Sequence, residues 1–459
     1  MLKKFIGDAS FYKKVILLAL PIMIQNGITN FVNMLDNLMV GQLGQAEMTA
    51  VSVSNQLIFV FNLCVFGAVS GAGIFGAQFF GKRDVKGLRD TFRFKLIAVL
   101  LICVLALGIF TFFASPLVSL YLKGEGSAET AEASLALGVE YLHIMLIGLI
   151  PAALVQCYAS TLREMGQTTP PMTAGIIAVL ANLTLNYVLI FGHFGAPKLG
   201  VAGAAIATVM SRFIEVAYLI LWTRLNKQRC EFIVGAYRSL RIPMSLVKKI
   251  IIKGIPLMAN ETMWATGIAF VSGCYSVKGL DVVAANNIVQ SFFNVFSVAF
   301  IAVGSSVGII LGQLLGQGKT DEARDSSVKL ITFSVLVSVV VAAVFFVCAE
   351  FIPDFYNLDD SVKLLATRMM RICAIILPFD AFVHATYFTL RSGGEVTVTL
   401  IFDSGFSWCV LAPIAFLLCN YSPWSILPIY SVCQALTLLK CVLGAAFVKR
   451  GKWIKRIVE

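Results

Sequence analysis

The chain has 459 residues, of which 58% are apolar and 13% charged, with a mean hydropathy of +0.86 and a net charge of +11. That composition excludes a water-soluble globule, and apolar runs as unbroken as Leu96 to Phe113 exclude the alternating strands of a membrane barrel. A bilayer core about 30 Å thick takes roughly 20 helical residues per crossing, so the expected fold is all-α and polytopic, with about twelve transmembrane helices.

In chain order the first six spans are expected near Val15 to Val40, Ser52 to Phe80, Phe94 to Ala114, Ser134 to Ser160, Met172 to Gly192 and Leu199 to Trp222. The other six lie near Gly254 to Val277, Ala284 to Gly316, Val328 to Glu350, Leu365 to Leu390, Thr397 to Leu418 and Ile426 to Val448. Of the 36 Lys and Arg, 28 fall at the termini or beside loops that follow even-numbered spans, whereas the opposite loops hold Lys123, Lys198, Lys278 and Lys363. By the positive-inside rule both termini are cytoplasmic. The positive charge therefore reads as a topology signal, and no soluble basic face for nucleic acid is expected. The first span lacks a small-residue cleavage site and reads as uncleaved. Eleven cysteines are scattered without ligand spacing, all but Cys230 in or beside apolar runs, so neither a disulfide framework nor a metal cluster is implied.

An internal repeat organises these spans. Lys13 to Asp90 aligns without a gap on Lys248 to Asp325 at a constant offset, pairing Gly44 with Gly279, Gln78 with Gln313, Gly81 with Gly316 and Arg89-Asp90 with Arg324-Asp325. TLREMGQT from Thr161 answers TLRSGGEV from Thr389, each after the fourth span of its half. Six spans per repeat give both halves the same orientation, so the expected domains are an N-lobe over 1–228, a cytoplasmic linker over 229–246 and a C-lobe over 247–459. The basic segment from Arg224 to Lys253 reads as a solvated connector lying at the membrane interface. Pro21 and Pro256 read as opening equivalent spans, where a first-turn proline is tolerated.

Two glycine-rich turns, GAQFFGKR from Gly76 and GQLLGQGKT from Gly312, imitate a phosphate loop. The first has Arg83 where Ser or Thr is needed and the second misses the glycine spacing, so no nucleotide site is expected. Gly304, Gly308, Gly312 and Gly316 recur every fourth residue and suit close helix approach.

The opening ALPIMIQNGITNFVNMLDNLMVGQLG, followed by TLREMGQTTPP, ANLTLNYVLIFG, LGVAGAAIATVMS and, in the second half, GIPLMANE and TLRSGGE, resembles the multidrug and toxic compound extrusion family over nearly the whole chain. The resemblance implies a monomeric two-lobed antiporter in the bacterial cytoplasmic membrane. It would export small organic, often cationic, molecules in exchange for protons or sodium ions, with no other cofactor.

An ionisable group within the bilayer is costly, so each such carboxylate is a functional candidate. On span 1, Asn26, Asn30, Asn33 and Asn37 form one helical stripe with Asp36 at its edge. Asn182 and Asn186 share a face of span 5, and Thr208 lies at similar depth on span 6. These four, Asp36, Asn182, Asn186 and Thr208, resemble the family's N-lobe cation site, with a second acid of some relatives replaced by Asn186. In the second half Glu261 stands beside Asn260, about 12 Å from the inner boundary, and Asp380 and His384 lie four apart at comparable depth. Glu261 and Glu395 resemble acids that the sodium-coupled branch uses in its C-lobe, so a sodium ion is expected at Asp36 or Glu261 if sodium is the coupling ion. Asn30, Asn33 and Asn37 on span 1, with Asn287, Gln290 and Asn294 on span 8, are the candidate cavity residues. Asp403 with Lys440, and Arg212 with Glu215, read as structural ion pairs. Two rival functions stay open: a flippase for lipid-linked sugars or lipids, and a membrane enzyme using Asp380 and His384 as acid and base.

Overall fold

A computed structural model describes residues 5–122, 128–356 and 358–458. Among these residues there is no strand, and twelve long helices carry the fold. They are α1 (Ala9–Gly41), α2 (Gln45–Lys82), α3 (Val85–Leu122), α4 (Ala128–Glu164), α5 (Thr169–Phe191), α6 (Gly200–Leu225), α7 (Met244–Ser276), α8 (Leu280–Gly316), α9 (Thr320–Cys348), α10 (Asp360–Ser392), α11 (Val396–Tyr421) and α12 (Ile426–Arg450). Each expected span is centred in one helix, and most helices run on past it; α3, for example, extends beyond the apolar stretch at both ends. Lys123 lies outside the described residues.

Eleven helices among the described residues are long and apolar enough to cross a bilayer. The remaining one, α7, has the length at 33 residues but not the apolarity. Asn260 and Glu261 in its middle lower its hydropathy, so the helix that fails the test is the one carrying a candidate site. The prolines correct the sequence reading: α1 begins at Ala9 and α7 at Met244, which puts Pro21 and Pro256 inside their helices, not in a first turn. Each removes an internal hydrogen bond at an equivalent point of the repeat.

The chain forms two compact units. The C-terminal unit comprises Met1–Met23, Ala77–Asp84 and Ile250–Glu459; the N-terminal unit comprises Ile24–Gly76 and Val85–Lys249. These units follow the halves of the sequence except at the N-terminal part of α1 and the C-terminal end of α2. The reason is burial: Val15, Leu18 and Ile22 join a core with Ala302, Val307, Leu311, Leu330, Ala385 and the buried Trp453. Close packing into this shared core assigns the first half of α1 to this unit.

The end of α2 crosses α8 at the paired glycines. A Cβ on Gly81 would stand 2.1 Å from the Gln313 carbonyl oxygen, and one on Gly316 would stand 2.0 Å from that of Gln78. The two glycines are equivalent in the repeat, as are the two glutamines, so the crossing is self-matching. It explains both phosphate-loop imitations as helix ends that need close approach. The C-terminal tail then closes over it. Gln78 Nε2 donates to the Ser392 and Lys455 carbonyls at 3.0 and 3.2 Å, and its Oε1 accepts from Ile457 N at 2.9 Å.

The connector between α6 and α7 is not wholly solvated, contrary to the sequence expectation. Cys230, Phe232, Ile233 and Ala236 are buried. Arg93 of α3 donates to the Ala236 and Gly235 carbonyls at 2.9 and 2.8 Å, and the Phe232 ring lies 4.9 Å from that of Phe92. Arginines that the sequence marks as inside signals thus also hold the connector on the N-terminal unit.

Candidate functional site

In the N-terminal unit, α1, α5 and α6 bring Asp36, Asn182, Asn186 and Thr208 together. The four-residue spacing of Asn182 and Asn186 puts both amides on the buried face of α5. Asn186 Nδ2 donates to Asp36 Oδ1 at 2.8 Å and to Asn182 Oδ1 at 3.3 Å. In one orientation Asn182 Nδ2 donates to Thr208 Oγ1 at 3.3 Å. Turned over, the same amide donates to the Asp36 oxygens at 3.1 and 3.0 Å, which matches donors to acceptors better. Asn186 Oδ1 is buried and has no hydrogen-bond partner among the described residues.

Asp36 has no ion-pair partner among the described residues. Arg212 of α6 instead pairs with Glu215 at 2.8 Å, as the sequence predicts. The acid therefore stands among neutral amides, and an amide can offer N–H to a carboxylate or C=O to a carboxylic acid or a cation by turning over. The donor set suits either protonation state of the acid. One helical turn away, an open cleft of about 490 Å³ is lined by Met39, Gln42, Leu183, Thr184, Tyr187 and Phe191.

The candidate cavity residues are less engaged. Asn33 and Asn37 are exposed and Asn30 half-buried on α1, while Asn287 and Asn294 are exposed and Gln290 half-buried on α8. Asn286, beside that second stripe, is buried at 5% exposure with its Oδ1 unpartnered among the described residues.

In the C-terminal unit a second polar cluster joins α7, α10, α11 and α12. Tyr387 OH donates to Glu261 Oε1 at 3.1 Å and accepts from Asn260 Nδ2 at 3.4 Å. Asn260 Nδ2 also donates to Asp403 Oδ2 at 3.1 Å, and its Oδ1 accepts from Ser404 N and Oγ at 3.3 and 2.8 Å. Lys440 pairs with Asp403 Oδ1 at 2.5 Å, the ion pair expected from their depths. Two π-helical stretches in α11, Ile401–Gly405 and Ser407–Leu411, place Asp403 and Ser404 so that both reach Asn260. Such insertions re-aim side chains and concentrate at functional positions.

The other second-half candidates divide. Asp380 accepts from Thr437 Oγ1 at 3.4 Å and is not hydrogen-bonded to His384. His384 has its Nε2 buried without a partner among the described residues, in a nest of Phe300, Tyr387 and Phe388 rings. Glu395 joins neither: its carboxylate pairs with Lys455 of the tail at 2.5 Å. An acid and base that share no hydrogen bond give the enzyme reading no catalytic pair.

Sequence reasoning missed two groups. Lys95 and Glu164 form a fully enclosed pair, with Nζ 2.6 and 2.7 Å from the two carboxylate oxygens and further bonds to Ser160 and Thr161. Lys95 was indistinguishable by position from the inside-signal lysines near it. Arg163, the arginine of TLREMG, donates to Gln25 Oε1 at 2.7 Å, and only the fold brings them together.

The MatE family model matches residues 21–188 and 257–417. The chain belongs to the MatE family. It shares 26% identity over 97% of its length with a probable multidrug resistance protein NorM of Thermotoga maritima, covering 94% of that protein. It is 23% identical to a probable multidrug resistance protein YoeA of Bacillus subtilis, with 98% and 96% of the two chains covered. A solved structure described as the outward-facing conformation of a multidrug resistance MATE family transporter superposes with a TM-score of 0.85 at 18% identity, over 98% of each chain. A Vibrio cholerae MATE transporter gives 0.86 at 16% identity, over 97% of this chain and 99% of that one. At such identities the structural likeness establishes the fold. MatE membership makes the protein a multi-pass membrane transporter and not an enzyme.

Proposed function

We propose that this MatE protein is a secondary antiporter of the bacterial cytoplasmic membrane, with both termini in the cytoplasm, that expels small organic cations in exchange for protons or sodium ions. The observation that carries the reading is Asp36. It is an acid within a transmembrane bundle, held by two amides that accommodate a charged or a neutral carboxyl, with no fixed counter-cation among the described residues. Such a group can exchange one cation for another. A proton or sodium ion arriving from outside neutralises Asp36; an organic cation arriving from inside does the same, so the two exclude each other. The neighbouring cleft with Tyr187 and Phe191 offers aromatic faces to a cationic amphiphile one turn away. The names of the relatives, multidrug resistance proteins, support the same substrate class. Each charge crossing the membrane yields about 2.3 kcal/mol per 100 mV, which sets the accumulation that one coupling ion can drive.

The test is ethidium efflux from liposomes holding the purified protein, with a pH gradient and a sodium gradient imposed separately. Efflux that follows one gradient supports the reading. Ethidium movement that ignores both gradients, or competition by lipid headgroups but not by organic cations, overturns it in favour of a flippase.

A further inference from the structure

We propose that the ammonium group of Lys440 is a built-in counter-cation that occupies the cation position of the C-terminal unit, so that the Glu261–Asp403 cluster takes up no sodium ion. This deepens the transport reading, on which it rests for its bearing on coupling.

Sodium is a hard cation and needs several oxygen lone pairs turned toward one point. At this cluster Asn260 Oδ1, the Tyr387 hydroxyl and both Asp403 oxygens already face hydrogens. Asn260 Oδ1 accepts from Ser404 N at 3.3 Å, the single Ser404 hydroxyl hydrogen lies between the Asn260 carbonyl oxygen at 2.7 Å and Oδ1 at 2.8 Å, and the Asn260 NH2 faces Asp403 and Tyr387. The Tyr387 hydroxyl gives its hydrogen to Glu261 and receives one from Asn260. Asp403 has one oxygen on Lys440 Nζ at 2.5 Å and the other on Asn260 at 3.1 Å. Among the described residues no three Asp, Glu, His or Cys side chains converge as a metal-ligand set.

Lys440 is also built into its position. Its side chain is 12% exposed and that of Asp403 18%, so water does little to screen them. Nζ lies 5.4 Å from the centre of the buried Phe402 ring, which holds it from a second side. Asp403 is thus balanced by a cation that never leaves the protein.

The experiment is equilibrium binding of radioactive sodium to purified full-length protein by scintillation proximity, in an Asp36→Asn background that silences the other candidate acid. That protein should show no saturable sodium binding. Adding Lys440→Met should create saturable binding, at least about tenfold above background, because Asp403 then lacks its ammonium partner in a poorly hydrated pocket. Adding Glu261→Gln or Asp403→Asn to it should remove that binding again, and Lys440→Arg, which keeps the charge, should create none. The inference is overturned if the Asp36→Asn protein binds sodium and Glu261→Gln abolishes it. It is also overturned if a Lys440→Met protein with an intact melting transition gains no binding. The measurement on Asp36→Asn leaves Lys440 untouched and decides the matter even if Lys440→Met fails to fold. Binding needs no transport, so a failure to export ethidium would sink the antiport reading and leave this result standing.

Discussion

The candidate sites of the two units hold their acids in different settings. In the N-terminal unit Asp36 is hydrogen-bonded by amide groups, while in the C-terminal unit Asp403 is ion-paired with Lys440 and Glu261 accepts from the Tyr387 hydroxyl. The repeat does not make the acids equivalent either. At its constant offset Asp36 corresponds to Val271, and Glu261 corresponds to Asn26. Duplication supplied a common frame of prolines, glutamines and glycines, and chemistry then diverged within it. An acid with its own permanent cation stiffens a bundle, whereas an acid without one is free to trade cations.

The largest effect that would break this contrast comes from the acids themselves. Asp36→Asn should reduce gradient-driven ethidium efflux to the level of protein-free liposomes, because the exchangeable charge is gone while the amide cluster can still be satisfied. Glu261→Gln should slow efflux yet leave it coupled to the imposed gradient. Equal uncoupling by both substitutions, or full coupling by Asp36→Asn, would show that the functional asymmetry is misassigned.

A second effect tests whether a paired acid in the N-terminal unit behaves like those of the C-terminal one. Lys95→Met removes the Lys95 charge from the buried Glu164, which packs against Gly73 and Gly76 of α2. Breaking such a pair costs about 3–5 kcal/mol, whereas replacing both partners by neutral groups of similar size is often near neutral. Thermal unfolding in detergent should therefore show a large loss for Lys95→Met and recovery of most of it in the Lys95→Met, Glu164→Gln double variant. Failure to recover would mean that the pair is held by Ser160 and Thr161 more than by charge.

How much of this was legible in the sequence follows from the physics of each feature. Span count and repeat were readable because hydropathy and fixed spacing act along the chain. Helical periodicity and depth put Asp36, Asn182, Asn186 and Thr208 at similar levels, but it was the family resemblance that grouped them as one site; the ion pairs Lys440–Asp403 and Arg212–Glu215 followed from the cost of burying lone charges. The share of α1 and α2 in the C-terminal unit was not readable, since it depends on which core Val15 and Ile22 enter. The π-helical stretches of α11 left no periodic signal, and Lys95 was hidden by lying where topology-signalling lysines also lie. Glu395 was misleading for the converse reason: its match to the family motif says nothing of Lys455, sixty residues on.

The α2–α8 crossing within the C-terminal unit can be weakened without touching the acids. Gly316→Ala forces a Cβ onto the Gln78 backbone, which cannot swing aside as a side chain would. Overpacking of that kind costs about 1–3 kcal/mol. Gly108 of α3, where an added Cβ meets nothing within 4 Å, is the internal control. There Ala should be neutral or stabilising by up to about 1 kcal/mol through helix propensity. A melting temperature lowered by Gly316→Ala and not by Gly108→Ala would locate the constraint in the crossing; equal shifts would remove it from the account.

The smallest effect concerns the connector, held by Arg89 on the Phe232 and Glu231 carbonyls, both at 3.3 Å, and by Arg93 on those of Ala236 and Gly235. Cys230 is fully buried beneath it, and burial pushes its thiol up to about 11, with Arg229 opposing the shift in part. The thiolate is the reactive form, so raising the pKa by about two units leaves about 100-fold less of it near neutral pH than an exposed cysteine presents. Labelling by a water-soluble maleimide should then be slower at Cys230 than at a cysteine introduced by Leu240→Cys, which is exposed in the same connector. The ratio should narrow as pH rises toward 11, provided the segment stays docked. If Cys230 labels as fast as the introduced cysteine at neutral pH, the Arg89 and Arg93 contacts do not hold the connector down, and its assignment to the N-terminal unit fails with them.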